Sequence, residues 1–265
     1  MSETLDIPLL KMMFMYALLI VPIFILAKLK FNVTREVVWA VLRMTVQLTL
    51  VGLYLKYIFE LNSLLITSLW IAVMLVMTNV VVINRAGLNI KLFLASNMVS
   101  ITFSTIATVL FFVIFVISPD PLFDARYMIP VTGMILGNTL RANVITLERF
   151  YSSVHDKKEQ HLTYLMMGAT LEEAIMPHFK TAVRAAISPT IASMATIGVV
   201  SLPGMMTGQI LGGTFPLVAI KYQIAIMICI FSVMTISAYL NIRLTLNKAF
   251  DGYGMLRDDV FREGD

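Results

Sequence analysis

Two arginines stand inside stretches that otherwise have the composition of membrane spans. Arg43 lies about six residues into the apolar block 37–59, and Arg141 lies a similar distance from the far end of block 127–147. At 1.5 Å per residue, each sits roughly 10 Å into a bilayer. A charge at that depth requires an interior partner, water, or an escape to the headgroups. Gln47 follows Arg43 by one turn on the same helical face. A cytosol-facing vestibule lined by both segments fits this pattern, and so does snorkelling to lipid phosphate. In either case two guanidinium groups repel a cation unless Glu36, Glu148 or lipid phosphate offsets them. They are poor candidates for cation ligands.

A second group of residues suggests movement rather than bond chemistry. In SLPGMMTG (201–208), Pro203 removes a backbone donor and Gly204 loosens the chain. A helix interrupted there is either a hinge of the kind that marks transporter sites or a simple kink. Met205 and Met206 follow the break and are candidates for facing a cavity. Gly133 and Gly137 are four apart, as are Gly204, Gly208 and Gly212. That spacing lets helix backbones approach closely and is compatible with either static packing or a moving gate.

The remaining chemistry is mostly excluded. There is no GxxxxGK[ST], GxSxG or HExxH, so neither a nucleotide loop nor a hydrolytic centre is expected. The chain is not expected to be an enzyme on its own or to carry an intrinsic cofactor. Nineteen methionines suit a soft metal, but flexible apolar filling explains them better. No metal ligand set can be named. His155, His161 and His178 read as solvated or docking residues, and the single cysteine, Cys229, has no partner.

Of the 265 residues, 58% are hydrophobic and 14% are charged, with mean hydropathy +0.85. Soluble domains carry about 25% charge. Apolar blocks near 20 residues recur at 9–29, 37–59, 64–83, 92–117, 127–147, 187–213 and 217–240. They predict an all-α polytopic membrane protein of about seven transmembrane helices, forming one permease-like domain over 1–265. Block 187–213 is long for one straight crossing and short for two, so it is broken or re-entrant. Lys and Arg number three in 28–36, two in 84–91, five in 148–186 and four in 241–265. Those fourteen face two in the opposite loops, which predicts the N-terminus outside and the C-terminus inside. The net charge of +4 needs no nucleic-acid partner; the expected surroundings are lipid. The polar tail from Asn241 onward is expected to fray at its end.

The stretch 149–187 is the only long polar interval and reads as a cytosolic helix–turn–helix insert. Its first helix ends near Met167, where Gly168 can take the left-handed conformation. After Ala169, Thr170 and Glu173 have capping-box spacing. In the second helix, Leu171, Ile175, Phe179 and Val183 form an amphipathic stripe suited to a partner or the membrane surface, and Pro177 should bend it.

Four stretches, LRMTVQLTLVGLYL (42–55), IPVTGMILGNTLRANVITLERF (129–150), SLPGMMTGQILGG (201–213) and AIKYQI (219–224), together resemble the FetB/YbbM family. That family is the membrane subunit of a bacterial ABC system linked to iron export, and plant aluminium-tolerance permease subunits are related to it. The resemblance spans nearly the whole chain. It implies a cytosolic ATPase subunit that binds ATP and Mg, a permease homodimer in a two-plus-two complex, the bacterial inner membrane, and a role in metal homeostasis and oxidative stress resistance. Gly168-Ala169-Thr170 resembles the central turn of the ABC-permease coupling loop. The upstream positions read His161-Leu162-Thr163 rather than Glu-Ala-Ala, and Pro177 and Pro189 do not match its proline spacing. An ATP-independent secondary transporter and a non-transport membrane scaffold are the other compatible classes. The charge asymmetry has a direct test: a cysteine at Ser63 should react with an impermeant reagent in intact cells, and one at Ser153 only after permeabilisation. Labelling of position 153 in intact cells would invert the map.

Overall fold

A computed structural model describes residues 7–29 and 33–262. Lys30, counted above among the basic residues of 28–36, lies outside the described residues. Ten α-helices follow in order: α1 Leu9–Ala17, α2 Ile20–Lys28, α3 Thr34–Leu61, α4 Leu64–Arg85, α5 Ile90–Phe112, α6 Ala125–Asp156, α7 Lys158–Met166, α8 Leu171–Thr196, α9 Gly204–Leu211 and α10 Pro216–Ala249. Helix α5 continues as a π-helical turn over Val113–Ile117. Among the described residues, five helical stretches are long and apolar enough to cross a membrane: Leu10–Lys28, Thr34–Leu61, Leu64–Arg85, Ile90–Ile117 and Pro216–Ala249.

Two of the seven expected blocks take a different form. Block 127–147 lies within α6, whose 32 residues are ample in length but carry Asn138, Arg141, Asn143 and Glu148. Block 187–213 is divided between the end of α8, a non-helical segment and α9. The limits of the insert also shift. Helix α6 runs unbroken to Asp156 and α8 runs unbroken through Ile187, so neither 149 nor 187 is a boundary. Pro177 and Pro189 sit inside α8 without ending it. Thr181 and Ser193 hydroxyls donate to the carbonyls of Pro177 and Pro189, taking up backbone acceptors near each proline.

The core is built by α4, α5, α6, α8 and α10. Helices α1 to α3 lie at its edge: α2 buries no residue, and α3 buries only Ile58, against Ala125 and Ile129 of α6. Asn62 closes α3 in the left-handed conformation, and its Oδ1 accepts from the amide of Ala125 at 3.0 Å, joining the ends of α3 and α6.

At the centre of the bundle, four fully buried asparagines from four helices bond to one another. The Asn97 amide nitrogen (α5) donates to Oδ1 of Asn79 (α4) at 2.8 Å. The Asn241 amide nitrogen (α10) donates to Oδ1 of Asn97 and, at 3.0 Å, to Oδ1 of Asn143 (α6). Asn143 in turn donates to Ser237 Oγ at 2.8 Å, and Ser100 Oγ donates to the Ser237 carbonyl. One turn further along α10, Tyr151 OH donates to Thr245 Oγ1 at 2.7 Å. Amide side chains both give and accept, so a chain of them can link four helices; Asn241 Oδ1 alone among these four side chains is left without a partner. Asn241 therefore belongs to the core rather than to a polar tail: α10 continues eight residues past it to Ala249.

The tail is also folded. Phe250 and Val260 are buried, the amide of Asn89 donates to the Val260 carbonyl, and the amide of Arg262 donates to the Gly87 carbonyl. The segment thus straps the α4–α5 turn as far as Arg262; the last residues, where fraying is expected, lie outside the described residues. Replacing Asn97 by Ala removes one donor and one acceptor from the network and should lower unfolding stability by about 1–3 kcal/mol. Reversible detergent denaturation measures this. A loss below about 0.5 kcal/mol would mean that the asparagines do not hold the four helices together.

Candidate functional site

Helix α8 stops at Thr196 because the next residues adopt a compact loop. Ile197 is extended, and Gly198 has φ +88°, a conformation that L side chains resist. The Gly198 amide donates to the Ser201 carbonyl at 2.9 Å, and the Val200 amide returns to the Thr196 carbonyl at 2.9 Å. Pro203 then opens α9 with extended torsions, and no side chain caps that helix. The break at Pro203–Gly204 expected from sequence is thus a seven-residue loop whose sharpest bend lies at Gly198.

Beside this loop is a cavity of about 290 Å³ between α6, α8 and α10. Asn138, Arg141, Ser193, Ser201, Pro203 and Met227 are among its lining residues. Met227 is eleven residues from the start of α10, so the loop lies roughly 16 Å along a helix about 50 Å long. Irregular backbone at such depth is tolerated where protein or water surrounds it. Of the residues singled out from sequence, the structure brings Arg141 and Pro203 together here. Arg43 and Gln47 are exposed on the half of α3 remote from its packed end and do not line the cavity. Met205 and Met206 also do not line it. Met205 packs on the apolar cluster of α6 and α10, and Met206 is buried. Within this chain, close approach to another helix is seen at one of the five glycines spaced four apart. A Cβ at Gly137, Gly204 or Gly208 would meet nothing within 4 Å, and at Gly212 it would meet the helix's own carbonyls; only Gly133 approaches another helix, at Met74 Cε, 3.3 Å away. Period-four glycines show which positions are small, not which face a helix turns inward.

The second functional feature is the turn between α7 and α8. Gly168 has φ +88°, its amide donates to the Leu165 carbonyl, and the Ala169 amide donates to the Tyr164 carbonyl. The capping box is complete: the Thr170 hydroxyl accepts from the Glu173 amide, and the Glu173 carboxylate accepts from the Thr170 amide at 2.8 Å. Those bonds hold the Glu173 carboxyl below the ordinary carboxylate range. Met166 and Met167, at the tip, are 85% and 80% exposed.

The surroundings of that turn correct two expectations. Leu171, Ile175, Phe179 and Val183 pack on the main core of this chain, so the stripe is already covered. Two of the three histidines are buried. His161 Nε2 bonds the Gly254 carbonyl at 2.8 Å, and His178 Nδ1 bonds Ser153 Oγ at 2.7 Å. Burial, with His161 and Lys157 nearby, lowers the His178 pKa. Its contribution to stability is therefore present above the ordinary imidazole value and lost as pH falls. Thus His161 fastens α7 to the C-terminal strap and His178 fastens α8 to α6, while the methionine tip is exposed. Among the described residues no group of three or more His, Cys, Asp or Glu could hold a metal.

The helices, the polar core and the broken element define a multi-pass α-helical membrane protein. Residues 9–250 match the family described as "Uncharacterised protein family (UPF0014)", and the chain belongs to that family. It is 36% identical over 206 residues to "UPF0014 membrane protein slr1647" of Synechocystis, covering 78% of this chain and 80% of the relative. It is 32% identical over 234 residues to "Probable iron export permease protein FetB" of Escherichia coli, covering 88% and 89%. It is 31% identical over 229 residues to "UPF0014 membrane protein STAR2" of rice, covering 85% and 78%. No solved structure matches the chain. Multi-pass architecture and bacterial relatives are consistent with a bacterial inner-membrane location.

The loop geometry yields a comparison of two glycines. Gly198→Ala should destabilise by about 1–2 kcal/mol through its positive φ. Gly204→Ala, at a helical position with open space, should be neutral or mildly stabilising. Thermal unfolding in one detergent ranks them, and the reverse order would place the critical bend at Gly204.

Proposed function

We propose that this protein is the permease subunit of an ATP-driven exporter, with iron or a related metal as its cargo and a separate cytosolic ATPase as its motor. In this reading residues 1–265 form one permease domain with the N-terminus outside and seven crossings, the sixth being the α8–loop–α9 unit. Two copies pair within a two-plus-two complex, and ATP and Mg bind to the partner. The observation that carries the proposal is the α7–α8 turn. Two adjacent methionines project almost fully exposed from a turn that is otherwise fixed by a left-handed glycine, a capping box and a buried histidine. A rigid turn with an apolar tip on the basic, cytosol-facing side fits a groove on another protein, because methionine conforms to such surfaces. From that turn, α8 extends as one helix to Ser193 at the cavity. The same helix thus joins the docking turn to the broken element, so movement of one end can be passed to the other. The E. coli relative whose name describes a probable iron export permease supports the choice of cargo.

The test is co-purification followed by reconstitution. Gly168→Val opposes the positive φ at a cost of about 1–2 kcal/mol, and Met166→Asp with Met167→Asp places charge on the tip. Both variants should insert and purify as the wild type does, yet lose association with the ATPase and ATP-driven transport. Thr170→Ala, which loses a cap worth about 0.5–2 kcal/mol, should show a milder defect. Wild-type association in both the glycine and methionine variants would reject docking at this turn. Cargo movement without any ATPase would reject the ABC assignment.

A further inference from the structure

The cavity at the α8–α9 break carries a single charge, that of Arg141. No Asp or Glu lines it, and Arg141 has no ion-pair partner among the described residues. We propose that this cavity binds its cargo as an anion, so that a transported metal occupies it within an anionic chelate rather than as a bare ion. The proposal rests on the transport reading above and adds the chemical class of what is carried.

The wall chemistry supports this. Bare divalent cations require several oxygen ligands with compensating negative charge, or imidazole and thiolate. The cavity supplies neither. Its sulfur atoms are the neutral thioethers of Met227 and Met234, and the Met234 sulfur accepts a hydrogen bond from Thr190 Oγ1 at 3.5 Å. A guanidinium facing the same space adds a repulsive charge.

Conversely, the free donors suit an anion. Arg141 offers five N–H groups in a planar fork that matches carboxylate or phosphate. Ser201 Oγ has no partner among the described residues. Pro203, also on the wall, opens α9, whose N-terminus is uncapped and adds positive potential. The other polar groups already donate to the backbone: Asn138 to the Met134 carbonyl at 2.8 Å and Ser193 to the Pro189 carbonyl at 2.9 Å. Asn138 keeps its second amide hydrogen as a donor for the anion, whereas Ser193 has given its only one. The volume, about 290 Å³, admits a small organic anion.

The same chemistry is offered by a soluble anion and by a lipid headgroup, and the experiment separates them. The full chain is placed, without any ATPase, in nanodiscs of phosphatidylcholine alone and of phosphatidylcholine with phosphatidylglycerol. Equilibrium binding is measured with radiolabelled citrate, radiolabelled phosphate and ferrous ion. Saturable binding of at least one anion is expected, weakened about tenfold or more by Arg141→Gln and largely kept by Arg141→Lys, which retains the charge and controls for folding. No saturable ferrous binding that is insensitive to Arg141 is expected. Absence of saturable anion binding overturns the proposal, whether ferrous ion binds instead, nothing binds, or a phosphatidylglycerol headgroup proves to be the only Arg141-dependent anion. Because no ATPase is present, failure here leaves docking at the Gly168 turn untouched. Loss of docking would in turn leave this binding unchanged.

Discussion

The structure depends on a constraint that weighs most heavily in a membrane: buried polar groups must find partners in one another. Asn79, Asn97, Asn143 and Asn241 bond to one another across four helices, each fully buried, with Asn241 Oδ1 alone of the four side chains left unpaired. In hydrocarbon the apolar faces of helices gain little by leaving lipid, so close packing and interhelical hydrogen bonds fix which helices meet. The network lies six residues from the end of α4, seven from the start of α5 and eight from the end of α10. It therefore fixes the half of the bundle that carries the α7–α8 turn and the C-terminal strap. Helix α5 meets α10 most extensively, and α6 packs on α4, α8 and α10 around the same asparagines.

Against that fixed half, the other half contains the irregular backbone. Helix α8 leaves the α7–α8 turn and lines the cavity from Ala186 to Ser193 before it ends at Thr196. The loop at 197–203 holds itself by its own hydrogen bonds, and Val199 and Val200 project from it, largely exposed. Helix α9 is short and rests chiefly on α10. A firm core with a loosely packed broken element is the arrangement expected where one part of a bundle moves and the other bears the force.

Some of this was legible in the sequence. The all-α membrane class follows from apolar blocks of bilayer length, and the turn at Gly168 follows from a glycine placed before a Thr-x-x-Glu box; both appear in the structure as read. The interruption near Pro203 was legible as well, although its bend lies at Gly198, because proline shows only where a donor is missing. What escaped was long-range. Asn79, Asn97 and Asn143 are visible as polar residues in apolar runs, but their mutual bonding depends on the register of four helices, which no local pattern encodes. Asn241 was taken for tail because the apolar run ends just before it, while α10 continues on tertiary packing. The amphipathic stripe of α8 was legible as a surface, yet its partner proved to be this chain's own core. The buried histidines became visible only once the strap and α7 were in place.

The central claim is that ATP acting at the α7–α8 turn moves the broken element relative to the asparagine-bonded core. Pulsed electron resonance distances between spin labels test it most directly, with one pair at exposed Val199 and Ile224, across the break, and a second at exposed Val99 and Leu244, beside the asparagines. In liposomes containing the ATPase, addition of ATP and Mg should shift the distance distribution of the first pair and leave that of the second unchanged. A shift confined to the second pair, or no shift in either while ATP is being hydrolysed, would contradict the account.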